Sequence, residues 1–391
     1  MDNKYQSSYL FLLIGTNPLP NYVSARLLAT DDATIYLLHS TDTLKVAERL
    51  QQLLKRYCPN MNAIPREIDE ADGDKIVAKI GEILQNDDLA GKNVGLNYSG
   101  GTKSMAVHAY YALRQAFPQG CFSYLDARSL SMVVDLGDQR VQIVSAKSEV
   151  QAKLVDLLQM HGYQFDRFNR EPHWQDLCTA ISEVFAEAES RVQWLNWLKS
   201  WKIKPPDPKL PDLSIYPLLQ PIVRVLTELC NGLPTEDSVA RLLGRSSFLS
   251  CQDFFEGKWL EEFVLAELAK ITADVGIHDY GAGIKIRRKN TRSFELDVLA
   301  MVGYQLFAIS CMATAERGPA KFHLHEVFVR ARQIGGDEAH FALACAYNRP
   351  RDLQDEVAET WDAKGKIRVF GQDDLLSLSD KLRQWFETTN P

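Results

Sequence analysis

The chain has 391 residues, 46% of them hydrophobic and 10% aromatic, which is ample for ordinary globular cores and long for a single one, so two domains are expected. A net charge of −7 excludes a uniformly basic nucleic-acid coat while leaving room for a local basic patch. The seven cysteines are scattered, odd in number and without a CxxC pair, which argues against structural zinc and against a disulfide framework. No run approaches the ~18 apolar residues of a membrane span, and the N-terminal residues carry no signal-peptide cleavage pattern. A reduced, cytoplasmic protein with no membrane partner is expected.

Strand and helix patterns alternate over residues 1–145. Ser8–Ile14 is a short apolar run that predicts a buried strand, followed by a helical pattern from about Tyr22. Thr34–His39 predicts a strand, Thr43–Tyr57 an amphipathic helix, Ala63–Ile68 a strand and Asp74–Leu84 a helix. Val94–Tyr98 and Ser104–Phe117 give the next strand and helix, and Cys121–Asp126 and Ser131–Asp135 two closing strands. Such alternation implies a parallel, doubly wound α/β sheet, whose ligands sit beyond the C-terminal strand ends.

Residues 146–253 read differently, as a mostly helical connector broken at Lys204-Pro205-Pro206-Asp207-Pro208. Trp194, Trp197 and Trp201 recur at helical spacing and suit a packing face better than base stacking, and Pro234–Gly244 suggests a small winged-helix-like element. Residues 254–391 form a third pattern. Helix Phe255–Ile271 precedes a basic run, Lys285–Arg292. Two strands follow, Ser293–Met301 and Gln305–Ser310, then helix Lys321–Ile334, strand Phe341–Cys345 and helix Asp373–Glu387. The basic run suits either phosphate contacts or a strand edge protected by charge.

The segment Asn97-Tyr98-Ser99-Gly100-Gly101-Thr102-Lys103-Ser104 lies between a predicted strand and a predicted helix. Glycines there allow close backbone approach and positive φ. The first amides of the helix point at an anion, with the helix dipole in support. The loop lacks the GxxxxGK[ST] spacing of a nucleoside triphosphatase and the GxGxxG of a nicotinamide dehydrogenase.

This loop resembles the signature loop of CARF domains, the Rossmann-like sensors of CRISPR-associated ancillary proteins. Gly15-Thr16-Asn17-Pro18 and Ser40-Thr41 match the other ligand loops of that fold in order and context. The resemblance covers residues 8–145. It implies a homodimer that binds one cyclic oligoadenylate, tetra-adenylate favoured, across its two-fold axis. The site would be lined by Thr16, Asn17, Ser40, Thr41, Ser99, Gly100, Gly101, Thr102 and Lys103. Thr16, Asn17, Ser40 and Thr41 also suit plain helix capping.

Gly257-Lys258-Trp259-Leu260-Glu261, Phe294-Glu295-Leu296-Asp297-Val298 and Phe307-Ala308-Ile309-Ser310-Cys311-Met312 stand in order in the last third of the chain. Together they resemble a restriction-endonuclease-like PD-(D/E)xK domain, over residues 254–390. Such a domain implies Mg²⁺ or Mn²⁺ held by carboxylates on two adjacent strands, with a lysine two residues on facing the same way. Asp297 suits the first metal ligand, with Glu295 and Glu261 beside it. Ser310 and Met312 depart from the pattern: a hydroxyl is a poor ligand for a hard cation, and a thioether carries no charge. Some restriction enzymes with a serine at this position recruit a carboxylate from the next helix. Here that helix offers Glu326, with Lys321 and Arg330 nearby, so Asp297, Glu326, Lys321 and Ser310 form the candidate catalytic set.

The expected function is a cyclic-oligoadenylate-activated effector of type III CRISPR defence, acting on DNA or RNA. Two alternatives stay open: a non-catalytic sensor whose degenerate nuclease-like domain binds nucleic acid or protein, and a ring nuclease acting on its own ligand.

Overall fold

From the N-terminus, β1 (Ser7–Leu13), α1 (Leu19–Leu28), β2 (Ala29–His39), α2 (Leu44–Tyr57), β3 (Asn62–Glu67) and α3 (Gly73–Asn86) alternate. They are followed by β4 (Val94–Asn97), α4 (Lys103–Ala116), β5 (Cys121–Asp126), β6 (Ser131–Asp135) and β7 (Val141–Ser145). The structure is a computed structural model and describes residues 3–126, 129–136, 141–146, 149–166, 168–201, 210–287 and 293–389. The strands form one sheet in the order β3-β2-β1-β4-β5-β6-β7. β3, β2, β1, β4 and β5 run parallel, while β6 and β7 return antiparallel. The central β1 is almost wholly buried, as a parallel strand covered on both faces must be. Helix α2 buries Val46, Ala47, Leu50, Leu53 and Leu54, one apolar stripe of helical period.

The winding direction reverses at β1, which has β2 on one side and β4 on the other. The loops leaving β1 and β4 therefore diverge, and the crevice between them is the switch point at which ligands of such sheets bind.

The second sheet draws on α5 (Leu154–Met160), β8 (Gln164–Phe165), α6 (Gln175–Ala186), α7 (Ala188–Trp201), α8 (Gln220–Leu229), α9 (Glu236–Leu242) and α10 (Trp259–Ala269). It continues through β9 (Ile277–Arg287), β10 (Phe294–Val302), β11 (Gln305–Cys311), α11 (Arg317–Gly335), β12 (His340–Ala344), α12 (Pro350–Thr360), β13 (Ile367–Phe370) and α13 (Leu378–Thr389). Its order is β13-β12-β11-β10-β9-β8. The β8–β11 portion is antiparallel and β11–β13 parallel. The three tryptophans of α7 are buried and pack on one another and on Phe255, so they are core residues. Helices α6 to α8 share this core with Val298, Ala300, Phe307 and Ile309 of β10 and β11. The helical segment is thus folded onto one face of the second sheet.

Some elements differ from expectation. β2 starts at Ala29, five residues before the expected Thr34, and β7, β9, α12 and β13 are additional to the expected elements. β9 is paired on both sides, by β8 and β10, so Lys285 does not guard a free edge; it stands opposite Glu295, and Arg287 pairs with Asp166. The remainder of the basic run, 288–292, and the proline break, 204–208, lie outside the described residues. No hairpin follows α9 to form a wing: the described chain passes through a short turn at Leu249–Cys251 into a π-helical turn at Phe254–Lys258.

Candidate functional site

Two constellations stand out. At the switch point the loops after β1 and β4 interlock backbone to backbone. A β-carbon added at Gly100 would lie 2.2 Å from the Leu13 carbonyl oxygen, and one at Gly15 would lie 3.1 Å from the Gly101 nitrogen. Gly101 has φ +75°, the left-handed region that glycine adopts at no cost. Asn97 is fully buried and shapes the loop, accepting from the Ser99 amide (3.2 Å) and donating to Ser123 Oγ (3.0 Å). Ser99 Oγ accepts from the Leu125 amide at 2.7 Å. Thr102 caps α4 by accepting from the Met105 amide (3.1 Å) and donates to the Glu70 carbonyl (2.6 Å).

Thr43 Oγ1 accepts from the Ser40 amide at 3.0 Å, and Thr41 Oγ1 donates to Glu67 Oε1 at 2.7 Å. Ser40 and Thr41 line a cleft with Arg66, Glu67, Glu70 and Lys75. Thr16 and Lys103 are exposed. Asn17 Oδ1 accepts from the Leu19 amide, and its amide group lies against Gly336 at the end of α11, where an added β-carbon would be 2.2 Å away. One of the expected ligand loops therefore touches the second domain directly. The domains also meet across a cleft of about 970 Å³ lined by Tyr124, Asp126 and Ser129 on one side and Gln305, Glu338 and His340 on the other.

The second constellation lies where α10 crosses β10 and β11. Glu295 and Asp297 alternate on one face of β10, and Lys258 and Glu261 are one turn apart at the start of α10. Lys258 Nζ donates to Glu261 Oε1 (2.9 Å), Glu261 Oε2 (3.0 Å) and Glu295 Oε1 (2.5 Å). Asp297 Oδ2 accepts from Ser310 Oγ (3.0 Å) and from the Cys311 amide (2.7 Å).

The electrostatics follow from crowding in a dry place. Burial, with Asp297 adding repulsion, pushes the Glu261 carboxyl up to about 8 against the pull of Lys258. Burial also raises Asp297, although the Cys311 amide, Ser310 and Lys258 oppose it. For Lys258, burial works against the charge, but Glu261 and Glu295 outweigh it and hold the amine above its ordinary value.

Asp297, Glu295, Glu261 and Ser310 are thus brought together. Glu326 and Lys321 are on α11, where Lys321 donates to Glu356 Oε1 at 2.7 Å; neither makes a hydrogen bond or ion pair with the cluster among the described residues. Met312 packs partly buried against apolar core. The three-residue spacing of Lys258 to Glu261 is visible in the sequence, but its contact with Glu295 is not.

Three carboxylates are the right chemistry for Mg²⁺ or Mn²⁺. Their placement is not: an ammonium stands between Glu261 and Glu295, and one Asp297 oxygen is occupied by two donors. Among the described residues no three acidic, histidine or cysteine side chains converge as a metal-binding group. As they stand, these residues do not fit a divalent ion.

Residues 250–389 match the profile of the endonuclease domain described as Card1-like. This segment is a Card1-like endonuclease domain. No curated protein matches the chain significantly. Among solved structures the chain resembles protein VC1899 from Vibrio cholerae, with a TM-score of 0.75 and 19% identity over 98% of this chain and 99% of that one. It also resembles Can2 from Sulfobacillus thermosulfidooxidans, solved in complex with cyclic tetra-adenylate, with a TM-score of 0.69 and 18% identity over 98% of both chains. A type III CRISPR defence DNA nuclease activated by cyclic oligoadenylate matches at a TM-score of 0.52 and 16% identity, over 86% of this chain and 45% of that one. At these identities the likeness is one of fold, and with VC1899 and Can2 it spans both domains.

Proposed function

We propose that this protein is a cyclic-oligoadenylate-activated ancillary effector of type III CRISPR defence, whose Card1-like domain cleaves phosphodiesters of DNA or RNA. The observation that carries the reading is the end-to-end fold likeness to Can2, itself solved with cyclic tetra-adenylate, combined with a glycine-built anion loop at the switch point of this chain. Burying phosphates is costly without donors and a cation, and the first amides of α4 and the exposed Lys103 supply both. A cyclic ligand repeats its phosphates with symmetry, so a two-fold dimer offers each the same loop. Val107 and Tyr111, one turn apart on α4 and 64% and 59% exposed, are candidates to meet the second copy. Seven unpaired cysteines accord with the cytoplasm, and no helix among the described residues is long and apolar enough to cross a membrane.

Titration calorimetry with cyclic tri-, tetra- and hexa-adenylate tests the reading. Tetra-adenylate should bind one per dimer, and Lys103→Ala should weaken it by roughly 1.5–3 kcal/mol, the worth of a charged hydrogen bond. Absence of binding by every ring, or an unchanged titration in Lys103→Ala, would overturn it. A second reading has an observation of its own. Ser310 and Met312 replace the usual groups, and Lys258 sits among the carboxylates, which favours a sensor whose endonuclease-type domain holds nucleic acid without cutting it.

A further inference from the structure

We infer that Lys258 is a resident counter-cation of the nuclease-domain carboxylates and competes with divalent metal for them. The inference rests on reading Glu261, Glu295 and Asp297 as the nuclease site. An ammonium has three protons, and Lys258 Nζ has three carboxylate oxygens within hydrogen-bond distance, two on Glu261 and one on Glu295. Its whole donor capacity is therefore directed at groups that a metal would need. The two carboxylates come from different elements, so the lysine ties α10 to β10. The backbone is distorted where this happens: Phe254–Lys258 is a π-helical turn, a rare geometry concentrated at functional sites.

The charge balance explains why a lysine is found here. Glu261, Glu295 and Asp297 approach one another in a largely buried place, and acids so arranged are costly without a cation. Position 312, just past the end of β11, where the resemblance calls for lysine, holds a methionine packed against apolar core. The positive charge comes instead from the helix. A divalent ion and an ammonium repel strongly at such separations in a poorly solvated site, so both cannot share these oxygens. The Lys258 side chain is 36% exposed and flexible, so it can swing outward without disturbing the core.

The test uses Mn²⁺ alone, with no nucleic acid, on the full-length chain, and reads free Mn²⁺ by electron paramagnetic resonance. Lys258→Met keeps the stem and removes the charge, and it should bind Mn²⁺ roughly tenfold more tightly than wild type. Adding Asp297→Asn should cancel that gain. Equal or weaker Mn²⁺ binding by Lys258→Met would overturn the inference. If circular dichroism shows Lys258→Met to be unfolded, the wild type decides: amine acetylation at Lys258, read by mass spectrometry, should rise severalfold at saturating Mn²⁺, and unchanged labelling overturns the inference. Both readouts are independent of cleavage. A protein that gains Mn²⁺ in Lys258→Met yet never cuts nucleic acid would defeat the nuclease reading and leave the competition standing.

Discussion

Replacing Gly100 with alanine probes the glycine loop after β4 at its tightest point. The new methyl would lie 2.2 Å from the Leu13 carbonyl oxygen, 3.1 Å from Asn21 Oδ1 and 3.2 Å from the Gly15 nitrogen. Relief requires a shift of roughly 1 Å, since non-bonded contacts settle near 3.5 Å. None of the three neighbours can move freely. Leu13 ends the central strand, and its carbonyl accepts from Asn21 Nδ2 at 2.9 Å inside the core. Overpacking of this kind costs about 1–3 kcal/mol. Loosening the buried Asn21 bond adds about 1 kcal/mol. The first domain should lose roughly 2–4 kcal/mol in all, or roughly 5–15 °C of melting temperature for a domain of this size. Scanning calorimetry of the full chain reads this, and cyclic tetra-adenylate titration should show the displaced loop as lost affinity. Gly81→Ala is the control: nothing lies within 4 Å of its added β-carbon inside α3, so it should stabilise by about 0.5–1 kcal/mol. Wild-type melting in Gly100→Ala, or equal losses in both variants, would refute this account of the loop.

Asp297→Asn should abolish any cleavage while leaving the melting temperature at pH 8 unchanged or raised, because it removes a buried charge and keeps an oxygen for Ser310 and the Cys311 amide; a marked fall in stability would show that the carboxylate is structural. Glu338 tests the interdomain cleft: burial, with Asp337 and Asp126 adding repulsion, raises its carboxyl to about 7. A group raised on folding stabilises fully below its unfolded value, near 4.5, and that contribution is lost as pH climbs through about 7. Glu338→Gln should therefore match wild type near pH 4.5 and exceed it by up to about 3 kcal/mol at pH 8; parallel urea-unfolding stabilities at both pH values would contradict this. His340 runs the other way, since burial lowers it to about 4. Wild-type stability should decline as pH falls from 6.5 towards 4, and His340→Gln should flatten that limb in the same titration.

The first domain was legible because its signals are local. Buried β1, the stripe of α2 and the Asn97–Lys103 loop announce strand, helix and turn without knowledge of the partner elements. β7 escaped because its exposed face carries Val141 and Ile143, so its alternation names no core. β9 escaped because Gly281, Gly283 and charged residues break its pattern; it is held by pairing on both sides, a non-local cause. In the nuclease half, Glu261, Glu295 and Asp297 could be named from motif order. The role of Lys258 could not, because it depends on a π-helical turn that brings the helix start beside β10. Glu326 and Lys321 follow from the resemblance to enzymes that recruit a carboxylate from the next helix, and sequence order alone does not say which face of the sheet that helix covers.

The central claim is that ligand at the first domain switches on chemistry at the second. The direct measurement is cleavage of labelled single- and double-stranded DNA and RNA by the full-length protein with Mn²⁺, with and without cyclic tetra-adenylate. Cleavage should appear only with the ligand, vanish in Asp297→Asn, and in Lys103→Ala need roughly ten- to hundredfold more ligand. Cleavage that ignores the ligand, survives Asp297→Asn, or never appears despite tight ligand binding would contradict it.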